Sequence, residues 1–179
     1  MRWRFATHSL LAGGLFLLAG LGMAAAQASS SPGASTPPAA ERPAALERSF
    51  FAVIREGDTK KFLSYVPEQG MDVGSRAEHI SRTEIEQQFA QHRDLYCKLF
   101  DSSCIRAPIK LDASTRPCSY RELLTASEKV RTAATDAVRG GVRQAILVAE
   151  VKNDKCSGLG LIDFIFNEDR GEWKLFSAP

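Results

Sequence analysis

The apolar positions in the first half of the chain recur with the period of helices. Four of them follow the i, i+4, i+7, i+8 spacing of one helix face, namely Leu46, Phe50, Val53 and Ile54. They predict a helix over 44–56, which Pro43 would begin and Gly57 would end. Asp58 can then cap a short second helix, which Pro67 ends because proline cannot continue it.

Two capping boxes mark the starts of later helices. The Ser81 side chain can accept from the backbone N–H of Glu84 while the Glu84 side chain reaches back, and Ser119 and Glu122 repeat the pattern. The residues after Ser81 that share one face are Ile85, Phe89, His92, Tyr96 and Leu99. This face predicts a third helix to about His92, and its continuation beyond that point stays open.

The second half of the chain changes to extended periodicity from Val130 onwards. The segments 142–151 and 159–166 are nearly continuous in apolar residues, which is typical of central strands. Gly140 and Gly141 separate the first segment from the strand before it, as in a two-residue hairpin. A central strand that is apolar on both faces must be covered on both, by helices on one side and by sheet curvature or a second subunit on the other.

The remaining turns complete the predicted architecture. Turns over 153–155 and 168–171 lead into a last strand at 173–176, and 71–73 is a short strand candidate earlier in the chain. The segment 101–118 contains two prolines and little periodicity, which indicates a long loop. We therefore predict an α+β fold in which N-terminal helices pack on a curved antiparallel sheet.

The first 28 residues have the three parts of a secretory signal peptide. Arg2 and Arg4 form a positive start, an apolar core follows at 10–21, and Ala26 and Ala28 supply the small residues of a cleavage site. The pattern predicts export to the periplasm or outside the cell, without a stable membrane span after cleavage. The apolar run is shorter than a spanning helix needs, although an uncleaved N-terminal anchor remains the alternative.

The composition of the remaining chain is that of a neutral globular domain. Of 179 residues, 44% are hydrophobic and 25% are charged. Without 1–28 the chain has 21 basic and 21 acidic residues, which argues against a nucleic-acid partner. The segment 29–43 is rich in proline, serine and alanine, as in a solvated linker, so 44–179 is predicted to be a single domain.

Four cysteines fit an exported protein with two disulfides. Three pairings are possible, and we favour Cys97 with Cys104, which closes a short local loop, and Cys118 with Cys156, which ties the middle segment to the last strands. The chain contains no C-x-x-C, so the spacing favours neither a zinc site nor a redox motif. We expect no metal and no cofactor.

The candidate binding residues are one acidic residue and four rings. Asp163 lies inside an apolar strand segment, where burial would desolvate its carboxylate and suit it to acid–base work. Its alternatives are a place on the open face of the sheet or a pairing with Arg143. The four rings are Tyr65, His92, Tyr96 and Trp173, each with core packing as its alternative. No nucleophile motif is present, so no catalytic residue is assigned.

The order of the predicted elements resembles that of a known family. The resemblance is carried by three stretches, LERSFFAVIREGDTKKFLSYV, SRTEIEQQFAQH and EDRGEWKLFSA. The layout resembles the nuclear-transport-factor-two-like superfamily, which includes ketosteroid isomerase and polyketide cyclases, over about 44–179. The resemblance implies a cone-like sheet around a pocket, and frequent homodimers. The cysteine-bearing segment 97–118 departs from this pattern, and a cystatin-like domain is a close structural rival.

Three functions remain open. The first is an exported, non-catalytic module that binds a small apolar molecule or a partner protein. The second is a pocket-type isomerase or cyclase, which needs a buried carboxylate and a tyrosine in one cavity. The third is an envelope accessory protein that acts through its surface, which predicts a filled interior and an exposed apolar patch.

Overall fold

The computed structural model describes residues 41–106, 116–156 and 160–179. The predicted signal peptide and all but the end of the predicted linker lie outside the described residues. The elements are α1 (Pro43–Glu56), α2 (Thr59–Tyr65), β1 (Met71–Val73), β2 (Glu78–Ile80), α3 (Arg82–Ala90), α4 (Leu95–Phe100), α5 (Tyr120–Ala126), β3 (Lys129–Arg139), β4 (Val142–Lys152), β5 (Leu161–Asp169) and β6 (Glu172–Ala178). None of the helices within these ranges is long and apolar enough to cross a membrane.

The predicted N-cap hydrogen bonds are confirmed, but the return bonds of the two capping boxes are not: the Glu84 carboxylate accepts from Gln88 Nε2 at 3.3 Å, and that of Glu122 pairs with Arg116. Gly57 ends α1 in the left-handed conformation with φ 74°, and Asp58 Oδ1 accepts from the backbone N–H of Lys61 at 2.8 Å to begin α2. The hydroxyl of Ser81 accepts from the Glu84 N–H at 3.2 Å, and that of Ser119 accepts from the Glu122 N–H at 3.2 Å. Local side-chain hydrogen bonds therefore begin α2, α3 and α5.

The third helix, predicted to about His92 with its continuation left open, ends at Ala90. His92 and Asp94 both have a φ of 49°, so α3 ends before them and α4 starts in a new direction. The position predicted for His92, on an apolar helix face, is wrong: the ring is exposed and stacks on Tyr96 at 4.3 Å. The Gln88 side chain spans the break, because its Oε1 accepts from the backbone N–H of Leu95 at 3.0 Å.

The predicted α+β class is confirmed, with a six-stranded sheet in the order β2-β1-β6-β5-β4-β3. Strands β3 to β6 form the predicted antiparallel meander, while β1 runs parallel to β6 and makes the sheet mixed. Strand β2 was not predicted. Gly140 and Gly141 form the predicted two-residue turn with φ 57° and 80°, and the next hairpin turns more tightly than predicted, at Arg170 and Gly171.

One face of the sheet is packed against the helices. In β5, Ile162, Phe164 and Phe166 are fully buried, whereas Leu161 and Asp163 on the opposite face are exposed. The Phe50 ring of α1 lies at 4.8 Å from that of Phe164 and 4.9 Å from that of Phe166. Aromatic rings therefore fill the space between α1 and β5.

Both favoured disulfides are present. Cys97 on α4 pairs with Cys104, which ends a short 3₁₀ turn at Ser102–Cys104, and Cys118 pairs with Cys156. The N–H of Arg116 donates to the Lys155 carbonyl at 3.1 Å next to the second bond. The middle of the predicted loop, 107–115, lies outside the described residues.

The two disulfides should contribute unequally to stability, because they close loops of 7 and 38 residues. Chain entropy predicts a loss of about 2.5 kcal/mol when Cys97 and Cys104 are both changed to Ser, and about 4 kcal/mol for Cys118 and Cys156. Reduction of both should lower Tm by more than about 10 °C. Calorimetry of the two double variants and of the reduced protein tests this, and an unchanged melt after confirmed reduction would contradict it.

Candidate functional site

A cleft opens where β6 ends and β5 continues without it. The last pair between these strands joins Ile165 to Ser177, so no β6 residue pairs with 161–164. The cleft has a volume of about 400 Å³. Residues from five elements or their turns line it, chiefly Ser75, Lys98, Tyr120, Asp163, Ile165 and Ser177. The sheet end therefore supplies a concave surface outside the filled core.

Tyr120 lines this cleft from α5. It is the first residue of α5, directly after the Ser119 cap, and its ring meets that of Phe164 edge-on at 6.1 Å. Only 5% of the residue is exposed, and no described residue hydrogen-bonds to its hydroxyl. Burial, together with the nearby charge of Asp163, raises the pKa of Tyr120 to about 12. The phenol therefore stays protonated at neutral pH and can donate a hydrogen bond.

Two side chains of opposite charge also line the cleft. Asp163 lies on the open face of β5 and Lys98 on α4, and both are exposed. Neither forms an ion pair with any residue that the structure describes. The cleft thus combines a cation, a carboxylate and a phenol, and all three retain the capacity to bind a polar molecule.

The turn between β1 and β2 forms one wall of the cleft. The N–H of Gly74 donates to the Ala178 carbonyl at 2.9 Å, which holds this turn against the end of β6. Gly74 has a φ of 76°, a conformation that favours glycine. A second depression of about 480 Å³ shares Gly74, Ser75 and Lys98 with the cleft and extends towards Gln88.

Comparison of the chain with protein-family models, with curated proteins and with solved structures gives no match. The chemistry of the cleft is therefore argued from its own residues. Within 41–106, 116–156 and 160–179, no group of three or more His, Cys, Asp or Glu side chains is arranged to hold a metal ion. The donors and acceptors that line the cleft suit hydrogen bonds and ion pairs with an organic ligand.

The five residues predicted as ligand contacts do not come together. Asp163 lies in the cleft, on the open face, which was one of its two alternatives. Tyr65 and Trp173 line a separate depression at the other end of β6, and His92 lies beside the Cys97–Cys104 disulfide. Tyr96 packs between the rings of Phe89 and His92.

Trp173 holds the start of the domain in place. It is buried, and its indole N–H donates to the carbonyl of Glu41 at 2.7 Å. The guanidinium of Arg143 lies 5.1 Å from the centre of its ring and bonds to Asp136 and Glu168. The end of the predicted linker is therefore part of the folded domain.

Sequence reasoning missed Tyr120 and Lys98 as site residues. The Ser119 cap indicates that Tyr120 is the first residue of a helix, but the local pattern is the same for a tyrosine in the core. Lys98 lies on a short helix whose direction depends on the break at His92 and Asp94. Tyr120 and Lys98 can be assigned to the cleft only when the positions of α5 and α4 relative to the end of β6 are known.

A second groove, of about 270 Å³, passes between His79 and Phe176. His79 Nδ1 lies 3.0 Å from Asp72 Oδ1, and Nε2 lies 3.0 Å from the Gln69 carbonyl. Both partners only accept hydrogen bonds when Asp72 is ionised, so the geometry favours the doubly protonated imidazolium. The bond to Asp72, with a smaller contribution from the Gln69 carbonyl, raises the pKa of His79 above 6.5.

This contact predicts a pH dependence of stability. Because the folded-state pKa of His79 is raised, its stabilising effect is complete below the ordinary pKa of 6.5 and is lost as pH rises through the raised value. Urea unfolding of the wild type and of His79→Gln between pH 5 and 9 should show a stability difference that shrinks with rising pH. His92→Gln is the control, and a difference for His79→Gln that is constant across pH would contradict the assignment.

Proposed function

We propose that the protein is an exported, non-catalytic module that binds a small molecule in the cleft at Tyr120. The observation that carries the proposal is the Tyr120 side chain, which lines the cleft and whose hydroxyl makes no hydrogen bond with a described residue. A ligand that accepts from this hydroxyl would gain a hydrogen bond without displacing a partner that the structure describes.

The proposed export is supported by two independent features. Two disulfides join all four cysteines, and such bonds persist in oxidising compartments but rarely in the cytosol. The pattern of residues 1–28 is that of a secretory signal peptide. A role in the periplasm or outside the cell follows from the two together.

We also propose that the domain is a variant of the nuclear-transport-factor-two-like fold. The order of two helices, a short strand, a capped helix and an antiparallel meander supports this relationship. Rings such as Phe50 and Phe164 occupy the region between helices and sheet, where that family would have a pocket. The proposed ligand therefore lies at the end of the sheet.

Loss of the phenol hydroxyl should weaken ligand binding. A fragment library is screened against the ¹⁵N-labelled, oxidised protein by NMR, and hits are those that shift the amides near Tyr120 and Asp163. Tyr120→Phe should raise the Kd of such hits by about three- to tenfold, because one hydrogen bond is lost. Tyr96→Phe, a partly buried tyrosine outside the cleft, should leave Kd unchanged. The proposal fails if no fragment shifts the cleft amides or if the two variants behave alike.

A pocket-type isomerase or cyclase is the second candidate, favoured by the presence of Tyr120 and Asp163 in one cleft. Asp163 is exposed, however, whereas an isomerase or cyclase of this type requires a carboxylate that burial has desolvated. Turnover of a bound compound that disappears in Asp163→Asn, with binding retained, would favour the enzyme. An Asp163→Asn variant with unchanged stability and binding would remove this residue from the site.

A surface function is the third candidate, favoured by apolar side chains outside the core. Phe176 is 43% exposed and Val142 is 40% exposed. Changing both to Ser should leave Kd for cleft-binding fragments unchanged, because neither residue lines the cleft. Sedimentation velocity of the wild type and the variant tests the surface role, and a shift from dimer to monomer would favour it over the small-molecule proposal.

A further inference from the structure

The cleft also indicates the class of its ligand, and this inference rests on the proposed function. We infer that the cleft binds an amino-acid-type zwitterion, a small molecule that carries a carboxylate, an ammonium group and an apolar side chain. The argument starts from Lys98, Tyr120 and Asp163, which line the same cleft from three different elements.

Lys98 and Tyr120 are suited to the carboxylate of such a ligand. The Lys98 ammonium makes no ion pair with a described residue, and the Tyr120 hydroxyl makes no hydrogen bond with one. An ammonium and a phenol are both donors, and hydrogen bonds with an ionised acceptor are stronger than those between neutral groups. A ligand carboxylate can accept from both.

Asp163 is suited to the ammonium group. Its carboxylate is also without an ion pair among the described residues, and an ionised carboxylate only accepts hydrogen bonds. Arg143, the partner considered from the sequence, is instead occupied by Asp136 and Glu168. The charge of Asp163 therefore remains available to a cationic group in the cleft.

The rest of the cleft suits an apolar side chain of modest size. Leu161, Ile165 and Ala178 line it, and Leu161 is 56% exposed. The volume of about 400 Å³ falls within the range of small-molecule sites. Contact with Leu161 would remove apolar surface from water and add to the affinity.

Ligands that carry only one sign of charge, or no charge, fit the cleft less well than a zwitterion. An anion without an ammonium group would lie against the unpaired carboxylate of Asp163, and a cation without a carboxylate would lie against Lys98. A neutral, apolar molecule would pair neither of the two charges. A zwitterion pairs both charges and accepts from the phenol of Tyr120.

The test uses the oxidised, ¹⁵N-labelled protein and the twenty protein amino acids as probes. Each is compared by NMR with its N-acetyl derivative, which lacks the ammonium group, and with its amide, which lacks the carboxylate. At least one free amino acid should shift the amides near Tyr120 and Asp163, and both blocked forms of it should bind about tenfold more weakly or worse, since each loses a charged hydrogen bond.

Variants that each remove one charge test which residue contacts the carboxylate of the ligand and which contacts its ammonium group. Asp163→Asn should raise the Kd of the free amino acid by about tenfold and leave the Kd of the N-acetyl form unchanged. Lys98→Gln should raise the Kd of both the free amino acid and the N-acetyl form, and leave the Kd of the amide unchanged. Lys60→Gln, on an exposed position of α2, is the matched control and should change none of them.

The outcomes separate this inference from the proposed function. Fragments that bind at Tyr120 while no free amino acid does, or blocked forms that bind as tightly as the free amino acid, would overturn the zwitterion and keep the small-molecule module. A cleft in which neither fragments nor amino acids shift any amide would overturn both.

Discussion

The packing of Phe50 against β5 is the contact on which the rest of the domain depends. Phe50 is fully buried, and its ring meets those of Phe164 and Phe166 within 5 Å. Full burial of a ring of this size contributes about 2 kcal/mol. The contact sets α1 across the central strands, and the rings occupy the space between the helix and the sheet.

Because aromatic rings occupy the space between α1 and β5, the cleft lies at the edge of the sheet. Strand β6 ends near Ala178 while β5 extends to Leu161, so the sheet has a step at this end. The backbone bond from Gly74 to Ala178 brings the β1–β2 turn to the same step. The parallel pairing of β1 with β6 thus shapes the cleft, since the turn after β1 forms one of its walls.

The fold was predictable from the sequence wherever short-range interactions decide structure. The caps at Asp58, Ser81 and Ser119 and the turn at Gly140 depend on residues within a few positions of one another. The break after α3 was not predictable in this way, because His92 has an unusual backbone conformation that no local pattern requires. Strand β2 has too few residues to show a hydrophobic period. It is recognised only by its antiparallel pairing with β1.

The sequence by itself determined the α+β class, the antiparallel meander and the most plausible cysteine pairs, because periodicity, turn residues and loop length are local properties. Only the tertiary structure decided that Asp163 faces outwards and shares a cleft with Tyr120 and Lys98. These three residues lie on β5, α5 and α4. They line one cleft because of where β6 ends and because of the direction that α4 takes after the break behind α3. Such long-range geometry follows from the packing of the whole core, which no single stretch of sequence encodes.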